Sequence, residues 1–162
     1  MIIDIHSHFF PKTWPDLAER FGTPNWPWMR HTEPGKAVVM VGDRAFRPVT
    51  SACWDPQQRL EDMDRDGIDL QVISATPVLF AYDRPAEQAL ACARLFNDAA
   101  LELCAHSSGR MRALAQVPLQ DIDLACKEGS RAMADGHLGV QIGNQGGERN
   151  LDDAGLLTFL HH

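Results

Sequence analysis

Short apolar runs alternate with capped, helix-patterned segments along this chain, and that alternation constrains its fold more than any other feature. Residues 2–5 read as a buried strand ending at His6. Residues 68–74, 111–117 and 138–142 read as three more strands. Between them lie helices with recognisable ends. Asp55 can cap one, with Pro56 at its first position and Gly67 to close it, and Leu60 and Met63 on its inner face. Residues 85–104 carry Ala89, Cys92, Ala93, Phe96, Ala99, Ala100 and Leu103 at spacings of three and four, which makes one apolar stripe. Asp121 is expected to cap a helix ending near Gly136. Asn150 is expected to cap a last one running to His162, with Asp152 and Asp153 against its positive end. Two stretches break the rhythm. Residues 9–34, with five prolines and Trp14, Trp26 and Trp28, read as irregular apart from a short helix at 16–21. Residues 37–41 and 44–49 flank Gly42-Asp43 and read as a β-hairpin.

Strand–helix repetition implies parallel strands, and both a doubly wound sheet and a β/α barrel satisfy it. Four β/α units are half of a (β/α)8 barrel, which takes ~250 residues; this chain has 162, enough for one domain or a piece of a larger one. Its 22 acidic residues against 15 basic leave a net charge of −7, which argues against a nucleic-acid binder. No apolar run approaches the ~20 residues of a membrane helix, and the N-terminus lacks a secretory pattern. Cys53, Cys92, Cys104 and Cys126 form no Cys-x-x-Cys pair, so free thiols in a cytoplasmic protein are expected.

The chemistry is concentrated in Asp4-Ile5-His6-Ser7-His8. Residues i and i+2 of a strand share a face, so His6 and His8 present two imidazoles together. Imidazole suits zinc and similar divalent ions, and barrel sites lie where the strands end. Asp4 has the same parity and is placed to orient a ligand from behind. A catalytic zinc usually has three protein ligands and an open position. The remaining histidines are His31 in the irregular segment, His106 at a helix end, His137 before a strand, and His161 and His162 on the last helix. None of them has a position that singles it out as the third.

The segment from Ile3 to Pro11 resembles the opening of the aminocarboxymuconate semialdehyde decarboxylase family of the amidohydrolase superfamily. The resemblance continues in Phe46-Arg47-Pro48-Val49, Trp54-Asp55-Pro56, Glu61-Asp62-Met63-Asp64, Ala75-Thr76-Pro77-Val78, Gln116-Val117-Pro118-Leu119-Gln120 and Gly139-Val140-Gln141-Ile142-Gly143-Asn144. It implies residues 1–162 as the first four β/α units, the N-terminal half, of a distorted (β/α)8 barrel with a β insertion at 37–49. It also implies one zinc, with cobalt or iron as alternatives, held by His6 and His8. A third His, an assisting His and a metal Asp would lie beyond His162, so the catalytic groups are unassigned here. The implied reaction is non-oxidative loss of carbon dioxide from 2-amino-3-carboxymuconate 6-semialdehyde, in tryptophan or nitrobenzoate catabolism. Arg47 matches the arginine that binds a carboxylate of this small dicarboxylate substrate; read alone, it would be a surface ion pair in a hairpin. The tryptophans either line the entrance or pack the irregular segment. A lysine of the insertion found in some members has no clear match; Val41 or Arg44 falls near its place. The full-length form is expected to be a homodimer, and the 162-residue chain alone to be inactive. Other readings are a superfamily hydrolase, a decarboxylase of a different aromatic acid, and a non-catalytic module.

Overall fold

The structure is a computed structural model describing residues 1–146 and 149–162. Three parallel strands form its main sheet. β1 (Ile3–Phe9) lies at one edge, and pairs with β5 (Leu70–Ala75), which pairs with β6 (Met111–Ala113). Between β1 and β5 the chain forms α1 (Leu17–Phe21), then an antiparallel sheet of β2 (Pro27–Glu33), β3 (Lys36–Val41) and β4 (Arg44–Thr50), then α2 (Pro56–Asp66). α3 (Ala86–Ala105) connects β5 to β6, and α4 (Ile122–Asp135) follows β6. A two-residue ladder of β7 (Gln145–Gly146) with β8 (Arg149–Asn150) precedes α5 (Ala154–His161).

The capping chemistry accounts for the helix limits. Asp16, Asp55 and Asp121 each accept backbone N–H bonds in the first turn of α1, α2 and α4. α2 and α4 end on Gly67 and Gly136, both with positive φ. α5 departs from expectation. Its cap is Asp153, which accepts from Gly155 and Leu156, because Asn150 is held in β8 opposite Gln145.

Two further expectations need correction. The irregular reading of 9–34 missed β2, which pairs with β3 across one register shift between His31 and Glu33 and makes the insertion three-stranded, spanning 27–50. Its prolines do not forbid this, since Pro27 sits at the first position and needs no ladder N–H. Residues 138–142 do not form a full strand. They join β6's continuation by one parallel bridge, Ala115 to Val140, with Leu138 N–H donating to Ala113 O and Gln141 N–H to Ala115 O.

The main core lies between the sheet and α3. Phe9, Ile73, Met111 and Ala113 meet Cys92, Phe96, Ala100 and Leu103 there, and Leu17, Trp26 and Val39 join them from the insertion side. Burying Phe96 alone contributes roughly 2–3 kcal/mol. Trp14 stacks edge-on against Phe96 and donates its indole N–H to Pro27 O, while Trp28 donates to Gly42 O. Trp14 thus ties the insertion to the core under α3, while the Trp28 bond stays within the insertion. Gly42 takes a φ of +55° at the hairpin turn, and a Cβ there would meet Asn25 Oδ1 at 2.5 Å. A smaller core of Val117, Leu119, Ala125 and Leu156 joins α4 to α5. Among the described residues the outer edge of β1 has no partner strand, so Ile2, Ile3 and Ile5, read from sequence as buried, are exposed along it. No helix among the described residues is long and apolar enough to cross a membrane.

Candidate metal centre

His6 and His8 sit near the C-terminal end of β1 with ring centroids 4.9 Å apart, edge to face. A register shift between Asp4 and Ser7 inserts one extra β1 residue opposite β5. This bulge lies at Ile5–His6, where it re-aims the first imidazole. It also breaks the parity that would place Asp4 behind a histidine ring. Asp4 Oδ1 accepts the backbone N–H of His6 at 3.1 Å, and Oδ2 accepts from Gln71 Nε2 at 2.8 Å. Asp4 therefore steadies the bulge rather than an imidazole.

His8 is fixed from both faces of the sheet. Ser74 Oγ lies 3.2 Å from its Nδ1, which leaves Nε2 as the ligating atom. Its carbonyl accepts from Arg59 Nη2 at 2.8 Å. Burial pushes the imidazole below its ordinary value of 6.5, and the neighbouring His6 adds to that; bonds to the Ser74 and Ala75 backbone oppose it, and the Arg47 charge lowers it again. The neutral form, which is the ligating form, is favoured.

Arg59 was not legible as a site residue, and it is the keystone of the arrangement. It is 6% exposed, on α2 one turn before Met63. Its guanidinium donates to Ala52 O at 2.7 Å, Ser7 Oγ at 2.9 Å, Gln71 Oε1 at 2.8 Å and His8 O at 2.8 Å. Gln71 passes the contact on to Asp4. One chain of bonds, Arg59–Gln71–Asp4, thus reaches the backbone of His6, while Arg59 itself holds that of His8. The available sequence signal was an arginine on the same helix face as Met63, four residues away, where an apolar side chain is the norm.

Arg47 lies on β4 opposite Val39, next to a second register shift that leaves Phe46 as an extra residue. Its side chain is exposed and pairs with no carboxylate among the described residues. Its charge reaches both His8 and Cys53.

The donor set fits two positions of a divalent ion. Among the described residues no third His, Cys, Asp or Glu completes it. His31 Nε2 bonds Lys12 O, His106 caps α3, His137 is buried with Nδ1 on Ala132 O, and His162 bonds Ser130.

The chain is similar to several known proteins. A 2-amino-3-carboxymuconate-6-semialdehyde decarboxylase of Dictyostelium discoideum is 36% identical over 158 residues, which are 97% of this chain and 44% of that protein. The chain thus spans less than half the length of this relative. The apo structure of Metarhizium anisopliae IDCase superposes with a TM-score of 0.76 at 22% identity, over 98% of this chain and 46% of that one. A 5-carboxyvanillate decarboxylase of Novosphingobium aromaticivorans, complexed with manganese, superposes at 0.63 and 24% identity, over 68% and 32%. At these identities the two structures show the fold: the N-terminal part of a distorted (β/α)8 barrel, with a small antiparallel sheet inserted after the first strand. The Amidohydrolase family model matches residues 3–160, and the chain belongs to that family.

Proposed function

We propose that this chain supplies the histidine pair and a carboxylate-binding arginine of a metal-dependent, non-oxidative decarboxylase. The substrate we assign is 2-amino-3-carboxymuconate 6-semialdehyde. The observation that carries this reading is the pair of bulges, one in β1 and one in β4, beside His6 and beside Arg47. The Arg47 charge bears on His8, as does the neighbouring His6, which supports a common site. The name of the Dictyostelium relative supports the substrate.

His6 and His8 would hold the ion, which we take to be zinc, with cobalt, iron or manganese as alternatives. When bound, a divalent ion supplies Lewis-acid polarisation of a substrate oxygen. Arg47 offers a two-pronged fork to a substrate carboxylate, which neutralises charge and fixes the substrate's orientation. Arg59, Gln71 and Asp4 keep the two histidine backbones in place before any ligand arrives. Loss of carbon dioxide leaves an electron pair on carbon, and a proton must replace it there. The proton donor and remaining metal ligands are expected from barrel strands that the longer relatives carry. The 162-residue chain alone is accordingly expected to be inactive. We place the enzyme in the cytoplasm and its full-length form as a homodimer.

The test is elemental analysis of the purified chain after zinc or manganese loading and dialysis, with carbon dioxide release measured alongside. His6→Ala and His8→Ala should each lose the metal. Arg47→Ala should keep it, while weakening binding of a dicarboxylate about tenfold, the worth of one charge-assisted bidentate contact. Equal metal loss in all three variants sinks the division of roles, and carbon dioxide release by the chain alone overturns the expected inactivity.

A further inference from the structure

The inner face of the parallel sheet carries polar groups that the metal and carboxylate sites do not use. His8 lies opposite Ser74, and Ile73 opposite Ala113. Ile73 and Ala113 belong to the core under α3. Alternation therefore puts Leu114 and Gln116 on the face that His8 and Ser74 occupy. The Ala115–Val140 bridge sets Gln141 next to Gln116 on that same face. Two contacts check this assignment. A Cβ on Gly129 of α4 would meet Val117 Cγ1 and Val140 Cγ2 at 4.0 Å, so those valines face the helix. A Cβ on Gly139 would meet Leu114 Cδ2 at 3.5 Å, on the opposite side.

Gln116 is 2% exposed. Its backbone is fully engaged: the N–H donates to Asn97 Oδ1 at 2.8 Å, and the carbonyl accepts from Asn97 Nδ2 at 3.0 Å. Asn97 is itself held by Glu128 Oε1 at 2.8 Å. The side chain is the reverse. Both Nε2 and Oε1 of Gln116 are buried without a partner, and so is Oε1 of Gln141. An unmet buried amide group costs about 1–3 kcal/mol, which an apolar side chain of similar size avoids. Stability alone therefore gives no reason for an amide here, whereas a ligand that bonds it does.

We propose that Gln116 and Gln141 form an amide pair that reads the ligand of this site. Gln116 Nε2 donates to a carboxylate or carbonyl oxygen, and the Oε1 atoms accept from an amino or hydroxyl group beside it. The span from β1 to β6 is two strand spacings, about 10 Å, which suits a small acid anchored at the histidine end. The ligand class is a small carboxylic acid with an adjacent N–H or O–H donor. This rests on the decarboxylase reading and deepens it.

The test is Gln116→Met, which keeps the volume and removes the amide. Calorimetric titration of the intact 162-residue chain uses 2,6-dihydroxybenzoate and plain benzoate as probes. The wild type should favour the hydroxylated acid by about tenfold, the worth of one or two hydrogen bonds. Gln116→Met should abolish that preference, weaken benzoate as well through loss of the Nε2 donor, and leave the melting temperature unchanged or higher. A melting temperature lowered by more than about 3 °C, roughly 1 kcal/mol for a chain of this size, means the amide bonds within the protein and overturns the proposal. So does a preference that survives in the variant, or a wild type that shows none. Manganese binding by His6→Ala is measured separately, so a failed metal site and a failed amide pair are told apart.

Discussion

Replacing Arg59 with methionine removes four hydrogen bonds from a buried cation, to Ala52 O, Ser7 Oγ, Gln71 Oε1 and His8 O. Bonds to a charged donor contribute about 1.5–3 kcal/mol each, so their gross worth is roughly 6–12 kcal/mol. The guanidinium, however, is buried with no carboxylate among the described residues bonded directly to it, and its own desolvation offsets several kcal/mol of that sum. A net loss of about 3–5 kcal/mol is expected, in line with breaking other buried charged networks. For a chain of this length that is a fall in melting temperature of roughly 10 °C. Arg59→Lys keeps the charge but concentrates it at one point on a flexible stem. It cannot reach Ala52 O and His8 O together and should recover less than half of the loss. Urea unfolding of the wild type and both variants gives the magnitudes directly. A loss below about 1 kcal/mol for Arg59→Met would refute the reasoning, because it would mean that water serves those acceptors as well as the guanidinium does.

Two further outcomes follow from the packing. Glu128 is fully buried; burial raises its carboxyl, but bonds from Arg131, Asn97 and Arg94 outweigh this and hold it below its ordinary value. Its contribution is present above the ordinary value of 4.5 and is lost as pH falls through the lowered one. His137 is buried and held neutral, chiefly by desolvation, so its contribution is present above 6.5 and disappears first as the solution is acidified. Acid unfolding followed by circular dichroism should lose stability in that order, and Glu128→Gln should flatten only the lower segment. Gly129 lies inside α4, and a Cβ there meets Phe159 Cε2 at 3.6 Å, an ordinary contact. Gly129→Ala should therefore raise stability by about 0.5–1 kcal/mol through helix propensity, as measured by the urea midpoint.

Local chemistry determined a large share of this protein before any tertiary contact is considered. The caps at Asp55 and Asp121, the closing glycines Gly67 and Gly136, and the stripe of α3 depend on groups within a few residues of one another, so each is visible in the sequence. Strand alternation predicts that His6 and His8 share a face, while the bulge at Ile5–His6 bears on how their rings meet. Packing decided what depends on distant partners. β2 exists because β3 supplies its ladder, which overrides the proline and tryptophan content of the segment. Residues 138–142 have a strand's composition but hold only a single bridge among the described residues, to Ala115. Asp153 replaces Asn150 as the cap because β8 claims Asn150 first. The site shows the same division. The types and spacing of His6 and His8 suggested a metal-binding pair, and a role for Arg47 came only with the family resemblance. The bulge that turns Asp4 from an imidazole to a backbone N–H, and the buried Arg59 that grips β1 from 51 residues away in sequence, exist only once the strands are in register. A bulge is a mismatch between two strands, and a buried charge is tolerated only among partners brought from elsewhere in the chain; neither is a property of any single segment.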